Sequence, residues 1–244
     1  MRVAIIGLVA LLTAAPAWAF EDYDGCLALI AQDPYRAERE AGDWARFGNG
    51  GAPARHCYAL ALLEIGAPSK AIDELLGIAA EEAALTDSAR SEILVQAGEL
   101  LLDEGDDVTA TVVAEQALRL TPRNPQVLGL RAAVRIAKGA YADALVDLNE
   151  AIERDGPVPR LLLLRASAHR ENGGLIEARD DATYATELAP GMAEAWLERG
   201  RIEARIKDVD SARDSLLQAV ALDREGEIGK TAQNVLQRME AGID

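Results

Sequence analysis

The chain has 244 residues, half of them hydrophobic, with 41 acidic against 25 basic side chains and a net charge of −16. An apolar fraction of that size excludes a disordered chain. The negative charge repels phosphate backbones and anionic bilayers, so neither nucleic acid nor a membrane surface is an expected partner.

The first element in chain order reads as an export signal. Arg2 precedes an apolar stretch from Val3 to Ala15, and Ala17-Trp18-Ala19 then places small residues where a signal peptidase cuts. The stretch is short for a membrane span, and Phe20, not Cys, follows the cut, which argues against a lipoprotein. A signal peptide over 1–19 sends the mature chain to the periplasm. Its loss removes Arg2, leaving 24 basic against 41 acidic groups, a charge of −17. No later segment is long and apolar enough to predict a membrane span.

Two helices are expected next, over Asp22–Ala31 and Pro34–Phe47, with Asp33-Pro34 as an N-cap followed by proline in the first turn. Gly48-Asn49-Gly50-Gly51 breaks the chain. Beyond it small residues recur at a fixed period of 34. Gly105, Gly139 and Gly173 form one column. Ala110, Ala144, Ala178 and Ala212 form a second, and Ala117, Ala151, Ala185 and Ala219 a third. Gly98, Ala132, Ala166 and Gly200 form a fourth. Antiparallel helices approach closely only where side chains are small, and glycine suits a left-handed turn that ends a helix.

This period and pattern resemble the tetratricopeptide repeat family over residues 91–224. The resemblance implies an all-α, right-handed superhelical solenoid of antiparallel helix pairs. It divides the chain into an atypical helix pair over 20–51 and a divergent repeat over 52–90. Repeats follow over 91–124, 125–158, 159–192 and 193–226, and a capping helix over 227–244. The capping helix carries Ile228, Ala232, Val235, Leu236 and Met239 on one face. No linker is evident, so the mature chain reads as one solenoid domain.

Arg131, Arg165 and Arg199 recur at one position, with Asp147 and Asp181 across the helix pair from the first two. In the repeat beginning at Ser91, Ala97 and Val113 replace both partners together. Joint loss identifies ion pairs within a repeat, in preference to a ligand-binding ladder of arginines. In the last repeat Ser215 takes the place of the acid. Cys26 and Cys57 are an even pair in an exported chain and predict a disulfide joining the N-terminal helix pair to the first repeat. No C-x-x-C occurs, so the bond has a structural role.

Enzymatic chemistry finds no support. His56 and His169 match no metal spacing. No G-x-S-x-G is present, and Gly229-Lys230-Thr231 lacks the glycine and preceding strand of a phosphate loop. No cofactor and no metal are expected.

In the family, the first helix of each repeat lines a concave groove for a partner peptide or helix. The resemblance assigns to it Val95, Glu99 and Leu102, then Ala133 and Ile136, then Arg160, Leu163 and Arg170, and last Leu197, Arg201 and Arg205. Its middle is small and apolar, and its C-terminal half gathers arginines on an acidic protein. A periplasmic interaction scaffold or adaptor is the function this implies. A binding protein for a small anionic or glycan ligand is the alternative. Neither the partner nor the oligomeric state is legible.

Overall fold

The computed structural model describes residues 22–242. The signal sequence expected over 1–19 lies outside the described residues. Among those described, the chain is all-α: α1 Tyr23–Gln32, α2 Pro34–Phe47, α3 Gly51–Glu64, α4 Pro68–Glu81, α5 Asp87–Asp103, α6 Asp107–Leu120, α7 Pro125–Ala137, α8 Tyr141–Asp155, α9 Pro159–Asn172, α10 Leu175–Leu188, α11 Ala193–Ile206, α12 Val209–Leu222 and α13 Glu227–Glu240. Two compact units are defined, one ending at Glu74 and the other starting at Leu75.

In the first unit, Asp22 starts α1 by accepting from the Gly25 amide at 2.8 Å. Asp33 starts α2 by accepting from the Arg36 amide at 3.0 Å, with Pro34 in the first turn. Each side chain satisfies an amide that the helix leaves unbonded. Cys26 on α1 and Cys57 on α3 form the expected disulfide, with Cα atoms 6.4 Å apart. It sits in a core with Leu29, Ala37, Ala41 and Ala61, flanked by Trp44 and Tyr58. The Tyr23 hydroxyl hydrogen-bonds His56 Nδ1 at 2.5 Å beside it, and Arg55 pairs with Glu74 at 2.5 Å.

In the second unit, the 34-residue period becomes packed helix pairs, α5 with α6, α7 with α8, α9 with α10 and α11 with α12. Every alanine of the three alanine-containing columns is fully buried. At the two glycines of the fourth column the packing leaves no room for a Cβ. A Cβ on Gly98 would lie 2.7 Å from a methyl of Leu130, and one on Gly200 2.7 Å from Leu216 Cγ. The turns inside the pairs use left-handed backbone at Gly105 (φ 79°), Gly139 (φ 74°) and Gly173 (φ 91°). The equivalent place in the last repeat is held by Lys207, at φ 68°. Asp223 accepts from the amides of Ile228 and Gly229 at 3.0 and 3.2 Å and so starts α13. Gly229-Lys230-Thr231 therefore lies in a helical first turn. Ala232 of α13 is buried against Leu197, Leu216 and Ala219, closing the end of the stack.

The recurring arginines are structural. Arg131 holds Asp147 through two bonds of 2.9 and 2.7 Å, and Arg135 on the same helix also reaches that carboxylate. Arg165 holds Asp181 through two bonds of 2.7 Å. These bonds raise the pKa of both Arg131 and Arg165, against a smaller opposing effect of burial. In the last repeat the acid is supplied from the same helix. Arg199 pairs with Glu203 at 2.8 Å, and Ser215, standing where the two preceding repeats have Asp, donates to Glu203 at 2.6 Å.

Candidate partner-binding face

The first helices of the pairs, α5, α7, α9 and α11, pack side by side, with α7 touching both α5 and α9. On α7 the chain keeps small residues. A Cβ on Gly129 would lie 2.9 Å from a methyl of Leu161, and Ala133 is half-buried one turn on. Arg160, at the start of α9, forms an ion pair of 2.5 Å with Glu99 of α5. The helices on either side of α7 are thus joined by side chains that pass over it.

The C-terminal half of the face carries a linked charge cluster. Arg170 of α9, 15% exposed, donates from Nε to Glu198 of α11 at 2.8 Å and also pairs with Glu171. Burial works against the Arg170 charge, but Glu198 and then Glu171 more than offset it, and its pKa is raised. Arg201 lies 3.7 Å from Glu198, and Arg205 lies 3.8 Å from Glu171. Three guanidinium groups therefore share two carboxylates, the outer two at long range.

These arginines line a cleft of about 740 Å³ at the end of the stack. Lys207 at the α11–α12 turn and Arg238 of α13 add two further cations to it, while Val209, Val235 and Met239 supply apolar wall. Among the described residues no ion-pair partner stands at the Lys207 ammonium, which is exposed.

The other expected groove residues divide between face and core. Leu102, Ile136 and Leu163 are half-buried, and Ile136 and Leu163 pack against core clusters. Val95 and Leu197 are buried, at 6% and 4% exposure. Their role here is packing between helices, because α13 covers Leu197 and neighbouring side chains cover Val95. Lys207, Arg238 and the apolar wall were not assigned to the site from sequence. The signal for Lys207 was present: it interrupts a glycine column in register. The contribution of α13 depends on a tertiary contact that periodicity does not encode. Among the described residues, no group of three or more His, Cys, Asp or Glu is placed to hold a metal ion. No helix among them is long and apolar enough to cross a membrane.

Stacked helix pairs, buried small-residue columns and left-handed inner turns define an all-α helical repeat solenoid with a tetratricopeptide-repeat-like fold. Solved structures share it. Cut9, from the APC/C hetero-tetramer Cut9–Hcn1, is similar with a TM-score of 0.71 and 16% identity, covering 89% of this chain and 42% of its own. A tetratricopeptide repeat protein from Parabacteroides merdae gives 0.71 and 15%, covering 88% of this chain and 84% of that one. Yeast Tom70 gives 0.67 and 15%, covering 91% of this chain and 48% of its own. This chain thus spans less than half the length of Cut9 and of Tom70. At these identities the likeness is one of fold. No protein-family model and no curated protein matches the sequence.

Proposed function

We propose that this chain is a non-enzymatic interaction scaffold that acts in the periplasm after export and holds a segment of a partner protein along α5, α7, α9 and α11. The observation that carries the reading is the make-up of that face: small residues Ala133 and Ala137 in the middle, an acidic start at Glu92 and Glu99, and a cation-rich end at Arg201 and Arg205. Small residues admit a chain close to the helices, and opposite charges at the two ends favour one direction of binding. Cut9, of similar fold, is itself found in a hetero-tetramer with Hcn1.

Capture from periplasmic extract tests this. The mature chain retains a specific protein. Ala137→Trp, which places a large group on the exposed end of α7, loses it, whereas Val112→Ser on exposed α6 retains it. Equal capture by both variants, or none by the parent chain, refutes the reading. N-terminal sequencing of the exported protein should begin at Phe20.

The alternative, a small anionic or glycan ligand, draws on the 740 Å³ cleft, whose size falls within the range of small-molecule sites. Recovery of a small molecule, with no protein retained, would favour it.

A further inference from the structure

We infer that the cleft between α9, α11 and α13 is a specificity site for an extended acidic segment of the partner, one in which carboxylate side chains alternate with aliphatic ones. The inference rests on the scaffold reading above and assigns the chemistry of one part of the face.

Charge gives the first argument. Arg170, Arg201 and Arg205 share only Glu171 and Glu198, which leaves one cation in excess. Lys207 adds a second, while Arg238, which also lines the cleft, has an interaction of its own. Two carboxylates at neighbouring alternate positions would neutralise both. The long contacts of Arg201 and Arg205, 3.7 and 3.8 Å, leave their donors available for shorter charge-assisted bonds.

The walls give the second. α11 contributes Arg201 and Arg205, one turn apart, whereas α13 contributes Val235 and Met239, also one turn apart, with Arg238 beside them. An extended chain sends successive side chains to opposite sides. Acid–aliphatic alternation therefore presents carboxylates to α11 and apolar side chains to α13. A uniformly acidic or uniformly apolar segment satisfies only one wall.

Lys207 gives the third. Among the described residues it is the one non-glycine residue with positive φ, in a place where Gly105, Gly139 and Gly173 make the same turn without strain. Strained backbone collects where a side chain is needed for function. Here the strain keeps a cation at the rim of the cleft.

Fluorescence anisotropy of labelled, C-terminally amidated Glu-Leu-Glu-Leu-Glu with the mature chain is the test. The amide removes the terminal carboxylate, and the free-acid peptide forms a second arm. Binding to the amidated peptide is expected, at least about tenfold tighter than to Gln-Leu-Gln-Leu-Gln and weakened by salt. Arg205→Gln should weaken it. Lys207→Gly should weaken it while raising the unfolding temperature, a split that a purely structural role for Lys207 would not produce. Equal affinity for the Gln peptide, binding confined to the free acid, no binding at all, or unchanged affinity in Lys207→Gly overturns the assignment. Partner capture that survives both variants overturns it too and leaves the scaffold reading standing. Peptide binding without any captured protein does the reverse.

Discussion

Arg160 of α9 and Glu99 of α5 meet at 2.5 Å across the intervening helix α7, so a single ion pair spans three repeats of the stack. Any partner lying along the middle of this face must pass beside the pair or displace it. Arg160 is 53% exposed and Glu99 26%, so its own contribution to stability is small. A double-mutant cycle with Glu99→Gln and Arg160→Gln should return a coupling of about 0.2–1 kcal/mol that shrinks at high salt.

Asp147 presents the opposite case. It is 2% exposed and answers two guanidinium groups, Arg131 and Arg135. Asp147→Ala leaves both arginines without that acid inside the α7–α8 pair. Chemical denaturation should show a loss of about 3 kcal/mol. Arg131→Met and Arg135→Met together with Asp147→Leu should recover most of it, because replacing the whole group by apolar side chains costs far less than removing its acid alone.

Most of the helical frame was legible before the structure, and particular residues show why. The Asp33 cap and the Pro34–Phe47 helix follow from local chemistry, which acts over a turn or less. The Arg131–Asp147 and Arg165–Asp181 pairs were legible because both partners vary together between repeats. Arg199 was legible only in part: Ser215 stands across from it in place of an acid, and the acid it uses, Glu203, comes from its own helix. Leu197 illustrates the limit on the site side. Repeat position placed it on the groove, but α13 folds over it, and that contact is not periodic.

The Cys26–Cys57 bond closes a loop with a sequence separation of 31 residues. Reduction should lower the stability of the first unit by about 3–4 kcal/mol in the chain-entropy view. Hydrogen exchange should quicken in α1 and α3 on reduction, and protection in α7 to α12 should stay unchanged.

Asp106 caps α6 by accepting from the Thr109 amide at 2.9 Å. Bonding to Thr109 lowers its pKa, with a smaller opposing effect of desolvation. A carboxyl whose folded pKa lies below its unfolded value stabilises the fold above the unfolded pKa, and that stabilisation is lost as pH falls through the folded one. Carboxyl NMR titration should therefore place the Asp106 midpoint below that of exposed aspartates. The first turn of α6 should lose exchange protection only in that acid range. Asp106→Asn should retain the cap and remove this pH dependence.

Every binding surface described above is positioned by helices that nest through small residues, and Gly200 is, with Gly98, among the tightest points of that contact. Equilibrium unfolding of Gly200→Leu beside Gly191→Leu tests it directly. A Cβ at Gly200 meets Leu216 at 2.7 Å, whereas one at Gly191 meets nothing within 4 Å. Gly200→Leu should lose about 3 kcal/mol, and Gly191→Leu should stay within about 0.5 kcal/mol of the parent. Equal stability of the two variants would contradict the packing on which the account is built.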